Sequence, residues 1–343
     1  MNIKIIGAGS IGNHLAHACR HLGWNVTICD IDDEALSRTK NLIYPGRYEK
    51  WDDEIELRNI NNVKEKNFDL VLIGTPPNTH LEIAIKEVKD SKPRGILIEK
   101  PLCTPDLNCL QEFIRIKEQS KIKFFIGYDH ILSQSLENFL KHLREGIIGK
   151  IISLEVNFRE NWEGIFKAHS WLSGPEDSYL GFSSKGGGAL CEHSHALSMW
   201  IYLSKCFGFG DIVEVSGNQK FYDQNGLIYD EISALTVKTQ NGFLGRVVQD
   251  VFTKPVQKEI SVFGLKGTAS LRFATNDNFD RYNINVSEGK VIRKQFEKKR
   301  PDDFINEMKH IDYCLNNNNF VSPIDVDHGI ETMNIISKAF LSN

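Results

Sequence analysis

No stretch of the chain is apolar over anything near the roughly 20 residues that a membrane-crossing helix requires, so insertion into a bilayer is not expected. Cysteine is sparse: 7 residues, at positions 19, 29, 103, 109, 191, 206 and 314, with no C-x-x-C pair and no zinc-ligand spacing. An odd, scattered set argues against a disulfide framework and reads as reduced, mostly buried thiols. Neither charge dominates, since 41 Lys+Arg stand against 45 Asp+Glu for a formal net charge of -4. A chain so balanced has no broad attraction for nucleic acid or an anionic membrane surface, and it carries no basic tail. Internal repeats, low-complexity segments and a Gly-x-Ser-x-Gly nucleophile elbow are missing as well. The first residues enter a strand without a charged-then-apolar leader, so a cytoplasmic location is expected. What remains is an ordinary globular composition, 41% hydrophobic and 25% charged, over 343 residues, a length that suits two domains better than one.

The densest signal lies at the start. A short apolar strand runs directly into Gly7-Ala-Gly9-Ser10-Ile11-Gly12, the G-x-G-x-x-G spacing of a dinucleotide-phosphate turn. Gly7 permits the reversal after the strand, Gly9 leaves no side chain where a pyrophosphate approaches, and Gly12 lets the following helix lie close to the sheet. Ile11, Leu15, Ala18 and Leu22 then recur at helical spacing, so the helix N-terminus faces the phosphate charge. A second strand, Val26 to Cys29, ends in Asp30, about 20 residues downstream, where a ribose-binding carboxylate belongs. Asp30 favours NAD over NADP. Arg38 or Arg47 could still fold over and accept a 2′-phosphate, and Asp30 could instead only cap its loop.

Strand and helix patterns alternate from residue 1 to about 126, which predicts a doubly wound parallel sheet, the Rossmann arrangement. Asp69 to Gly74 reads as a buried strand, followed by Thr75-Pro76-Pro77-Asn78-Thr79-His80 and a helix striped by Leu81, Ala84, Ile85 and Val88. Gly95 to Glu99 is the next strand and ends in Glu99-Lys100-Pro101. Thr104-Pro105 then supplies an N-cap and first-turn proline for a helix through Leu107, Leu110 and Ile114, and Phe124 to Tyr128 closes the sheet. The polar segment 44–66 gives no clear pattern and is expected to be irregular. From 127 to 343 alternating strands with hairpin signals take over, at Ile151 to Phe158, around Asn241-Gly242 and across Ser261 to Leu271. This predicts a second α/β domain with a large, mostly antiparallel open sheet, and terminal helices over Asp303 to Leu315 and Ile330 to Leu341 that pack back on the body.

Four separated motifs coincide: the glycine turn, Gly74 to His80, Glu99-Lys100-Pro101, and Gly186-Gly-Gly-Ala-Leu-Cys-Glu192-His193-Ser-His195. In order and spacing the chain resembles the Gfo/Idh/MocA oxidoreductases over essentially its whole length. The resemblance implies NAD as cofactor, with NADP the weaker alternative, held by Gly7, Gly9, Ser10, Ile11, Gly12, Asp30, Thr75, Pro76, Asn78, His80, Glu99 and Lys100. It implies that Lys100, before a proline that is often cis in the family, lies at the nicotinamide and the substrate. An ammonium there can hydrogen-bond a reacting hydroxyl and stabilise alkoxide charge. It further implies an acid and a histidine on the helix after the glycine run, which is expected from about Ala189 to Leu203. Glu192 and His195, three apart, would be neighbours on one face, with His195 the acid/base and Glu192 the group that orients substrate. Many relatives carry aspartate and a longer spacing here, and His193 is the rival for the proton. The three glycines would let backbone lie against cofactor or substrate.

Tyr128, Trp162, Trp171 and His193 are candidates for lining a substrate cleft, although the two tryptophans fit a core or an interface equally well. Cys191, Glu192, His193 and His195 lie too densely on one segment to surround an ion, so no metal is expected. The implied activity is hydride transfer between a nicotinamide and a secondary alcohol or ketone of a sugar, cyclitol or nucleotide-sugar, in a homodimer or homotetramer. Two other readings stand beside it: a catalytically silent dinucleotide-binding protein, and a lyase or hydrolase that uses tightly held NAD transiently.

Overall fold

The computed structural model describes residues 1–341 apart from Asn276 and Asn318, and its chain divides into two compact units. The first comprises Met1–Cys103, Leu107–Asp129 and Arg300–Gly329, and the second comprises Thr104–Asp106, His130–Lys299 and the chain from Ile330 onward. The units are therefore interleaved along the sequence.

The first unit is built on β1 (Asn2–Ile6), α1 (Ser10–His21), β2 (Asn25–Asp30), α2 (Asp33–Arg38), α3 (Tyr44–Tyr48), β3 (Ile55–Asn59), β4 (Leu70–Ile73), α4 (His80–Asp90), β5 (Gly95–Ile98), α5 (Leu110–Gln119) and β6 (Lys123–Ile126). Its six strands lie parallel in the order β3-β2-β1-β4-β5-β6. Sequences such as Leu-Val-Leu-Ile in β4 and Gly-Ile-Leu-Ile in β5 are buried at every position, as strands covered on both faces must be.

Two expectations need correction here. Segment 44–66 is irregular only in part, because it holds α3 and the edge strand β3, where Ile55 is the one buried residue and hence the one periodic cue. The helix expected from Thr104-Pro105 starts only at Leu110: Thr104 Oγ1 bonds Asp106 instead, and Leu107 (φ 59°) and Cys109 (φ 61°) hold left-handed conformations that a helix cannot include.

The second unit carries α6 (Gln134–Arg144), β7 (Ile151–Arg159), α7 (Glu163–Ala168), α8 (Ala189–Glu192), α9 (His195–Phe207), β8 (Ile212–Gln224), β9 (Leu227–Thr239), β10 (Leu244–Asp250), β11 (Gln257–Gly264), β12 (Gly267–Arg272), β13 (Phe279–Val286) and β14 (Val291–Glu297). The eight strands form one sheet, β14-β13-β12-β11-β7-β10-β9-β8, antiparallel except for the pair β7 and β10. Asn241-Gly242 turns β9 into β10, with Gly242 at φ 79°. The apolar helix α9 lies on this sheet, where Trp200 donates to the Leu154 carbonyl at 3.1 Å. A Cβ on Gly245 would sit 2.3 Å from the Trp200 indole nitrogen, so only glycine admits the ring. Then α10 (Asp302–Asn316) returns to the first unit and runs along α1, stacking Phe304 on His14 at 4.9 Å, while α11 (Val326–Leu341) is shared between the units at Gly329.

Candidate functional site

The glycine turn in the first unit is held by backbone on one side and by side chains on the other. Gly7 leaves β1 at φ +111°, where a Cβ would meet the Gly74 carbonyl at 2.7 Å, and a Cβ on Gly12 would fall 2.0 Å from the Gly7 carbonyl. Around Gly9 the opposite holds, because a Cβ there would meet no described atom within 4 Å. The Asp30 carboxylate accepts from the Ala8 amide at 2.7 Å and the Asp32 amide at 3.0 Å, locking the end of β2 to the turn. Both oxygens keep lone pairs for a further donor such as a ribose hydroxyl. The open cradle at Gly9, the start of α1 at Ser10 and Ile11, and this acid together fit a dinucleotide.

Two residues that the sequence reading missed complete the turn: buried Asn13 donates to the Gly9 carbonyl at 2.7 Å, and buried Thr39 donates to the Ala8 carbonyl. A polar residue on the buried stripe of α1 was the available cue. Arg38 lies beside Asp32 at 3.5 Å, whereas Arg47 bonds Ser10, so the two arginines serve different ends of this region.

The sheet order places the loops after β1, β4 and β5 on three successive strand ends. These carry the glycine turn, then Thr75, Pro76 and Asn78, then Glu99 and Lys100. His80 ties the last two together: fully buried, its ring nitrogens lie 2.7 Å from the Thr75 carbonyl and 2.9 Å from the Pro101 carbonyl. Burial pushes its pKa down to about 4, and the pull of the two carbonyls towards the imidazolium does not overcome that loss of solvation. His80 thus braces the loop after β4 against the loop after β5 and, fully buried, offers no ring atom to a ligand. The Lys100–Pro101 peptide is cis, Lys100 is half-buried, and Glu99 is buried against Gly127. Below lies Glu307 of α10, fully buried with neither oxygen hydrogen-bonded among the described residues, its pKa raised by burial and then by Glu99, Asp129 and Asp303.

In the second unit the expected helix from Ala189 to Leu203 is two helices. It stops after Glu192 and restarts at His195, with Ser194 donating to Cys191 and Ala196 to His193 in tighter three-residue turns. Glu192 and His195 are therefore not successive positions of one regular helix. Glu192 accepts from the Tyr179 hydroxyl at 2.8 Å. His193 is buried, while His195 is half-buried with its ring 4.6 Å from that of His130 and 6.4 Å from that of Phe158. Their sheet-side support comes from β9 and β10: Asp230 accepts from the Leu190 amide at 2.8 Å, and Gln249 donates to the Ala189 and Leu190 carbonyls at 3.3 and 3.2 Å. Burial pushes the Asp230 pKa up to about 7.

The glycine run also works differently from expectation. A Cβ on Gly187 would lie 2.3 Å from the Tyr179 and Leu180 carbonyls, and one on Gly188 would lie 2.0 Å from Asp230 Oδ1. Those faces are filled by the protein itself. Trp162 belongs to a small core with Leu180, Ala189, Tyr229 and Val251, Tyr128 is fully buried beside His328, and Trp171 is half-buried against His169.

Residues 1–128 match the family model of the oxidoreductases with an NAD-binding Rossmann fold. Among curated proteins the chain is 25% identical over 207 residues to the 2,7-anhydro-N-acetylneuraminate hydratase of Escherichia coli, covering 59% of this chain and 49% of that protein. It is 24% identical over 281 residues to the myo-inositol 2-dehydrogenase of Thermotoga maritima, covering 78% and 74%. The first of these matches thus spans about half of its relative. A levoglucosan dehydrogenase solved with NADH shares the fold across 100% of this chain and 96% of its own, with TM-score 0.78 and 16% identity. The expected fold class, a parallel Rossmann sheet and a second, mostly antiparallel sheet, and the NAD-binding character of residues 1–128 are borne out.

Proposed function

We propose, from the match of residues 1–128 to the Gfo/Idh/MocA oxidoreductase family model, that this chain is an NAD-dependent dehydrogenase or reductase. Its substrate would be a secondary alcohol, or the matching ketone, on a sugar, cyclitol or nucleotide-sugar. The observation that carries the reading is the order of the first sheet, which brings the phosphate turn, the Thr75 loop and Lys100 onto the carboxyl ends of neighbouring strands β1, β4 and β5. The named inositol and levoglucosan dehydrogenases support the substrate class.

When bound, the nicotinamide supplies the hydride acceptor. Gly9 and the first turn of α1 would hold the pyrophosphate, and Asp30 a ribose hydroxyl. Lys100 Nζ donates to the reacting oxygen and stabilises the negative charge that grows there as the carbon–hydrogen bond breaks. The hydroxyl proton passes to a ring nitrogen of His195, and Glu192, held by Tyr179, orients the polyol. Lys100→Ala and His195→Ala are each expected to lower turnover by about a hundredfold or more while NADH affinity stays within about threefold. Undiminished turnover in either variant removes that residue from its role.

The hydratase relative favours one second reading, in which tightly held NAD is used transiently within a lyase or hydratase cycle. Substrate-dependent product without net change in NADH absorbance would select it.

A further inference from the structure

One cation beside the dinucleotide turn has no carboxylate to answer it. The Arg47 guanidinium, half-buried in α3, donates from Nη1 to the Ser10 carbonyl at 2.8 Å and from Nη2 to Ser10 Oγ at 2.7 Å. These two bonds use two of its five donors. Burial holds its pKa below the ordinary arginine value, with Tyr48 opposing that shift and Arg300 adding to it. Arg300 is exposed, stacks over Phe304 at 5.3 Å and approaches His14 Nε2 at 3.4 Å. Among the described residues neither arginine forms an ion pair with a carboxylate. Ser10 is the first residue of the 12-residue α1, so a desolvated guanidinium, a second arginine and the positive end of a helix dipole gather at one corner of the turn. Such an arrangement is unfavourable by itself and becomes favourable when an anion lies among the three.

We propose that Arg47 is a pyrophosphate-binding residue of the dinucleotide site, positioned through Ser10, with Arg300 a weaker second cation. The geometry separates this role from recognition of a 2′-phosphate, because Arg47 is fixed at the start of α1 while Arg38 is the arginine beside Asp32, the N-cap of α2 just after β2. The proposal concerns the cofactor alone and is independent of which substrate is turned over.

The test is a set of binding titrations with NADH, NADPH, ADP-ribose and adenosine on the full chain, comparing the natural protein with Arg47→Gln, Arg47→Lys and Arg300→Gln. Loss of a charge-assisted hydrogen bond should weaken NADH and ADP-ribose about tenfold in Arg47→Gln, leave adenosine within about twofold, and shrink with added salt. Arg47→Lys, which keeps charge without the planar fork, should fall between, and Arg300→Gln should cost about threefold. Equal weakening of adenosine and ADP-ribose would mean that Arg47 only braces the turn. Weakening confined to NADPH would assign it to the 2′-phosphate, and unchanged affinities throughout would remove it from the site. Should Arg47→Gln fail to fold, the ratio of ADP-ribose to adenosine affinity in Arg47→Lys and Arg300→Gln decides between the same outcomes.

Discussion

Gly9 in the first unit and Gly187-Gly188 in the second occupy similar places in the sequence, each a glycine-rich approach to a helix, yet their surroundings differ. A Cβ on Gly9 would enter open space, whereas one on Gly187 would strike two carbonyls and one on Gly188 the Asp230 carboxyl. In the first unit the missing side chain leaves room for a ligand, and the turn is tied from behind by Asp30, Asn13 and Thr39. In the second, the missing side chains let the chain close on itself, so that β9 and β10 can grip the short helix α8 through Asp230 and Gln249. Each of those clamps keeps one buried oxygen, Asp230 Oδ1 and Gln249 Oε1, without a hydrogen bond among the described residues. The same residue type thus serves binding in one place and internal packing in the other.

That contrast breaks most directly under alanine. Gly187→Ala should destabilise the fold by about 3 kcal/mol or more, since the clash is with backbone, while Gly9→Ala should leave the melting temperature unchanged and weaken NADH instead. Thermal unfolding beside a cofactor titration reads both, and the reverse pattern would undo the distinction.

Titration separates the units next. With its folded pKa raised to about 7, Asp230 stabilises the protein at low pH and loses that contribution as pH rises from the unfolded carboxyl value towards 7, a change of about 4 kcal/mol. Asp230→Asn should therefore gain on the natural protein across that range and run parallel to it above. His80 acts oppositely, because its folded pKa is depressed to about 4: its contribution is full above the unfolded value of about 6.5 and is lost as pH falls towards 4, by about 3 kcal/mol. Denaturant unfolding of His80→Gln from pH 4 to 8 should show the difference on the acid side alone. The smallest effect is expected at Asp30, where Asn should weaken NADH by about 1 kcal/mol and NADPH less, sharpening its role at the ribose. Equal losses would confine Asp30 to bracing Ala8.

The first sheet was legible because its strands are continuous apolar runs and its turn is written in consecutive residues. β3 escaped notice since an edge strand with one buried side chain leaves little periodicity. Thr104-Pro105 looked like a helix start, and the left-handed residues that delay α5 to Leu110 are not glycines, so nothing in their identity announced them. The break between α8 and α9 was equally hidden. The short helix before it is held by Asp230 and Gln249, some 40 to 60 positions downstream, and no local pattern encodes a hydrogen bond across that distance.

The path of the chain has its own consequence. Because Arg300–Gly329 belongs with the first 129 residues, the nucleotide-binding body is not a contiguous piece of the polypeptide. A fragment cut at residue 129 would lack α10, baring the flank of α1 where Phe304 now covers His14 and freeing Arg94 from the Leu315 carbonyl. Synthesis must reach residue 329 before that body can close, so the first 129 residues of a nascent chain would wait, incomplete, while the intervening second unit is made.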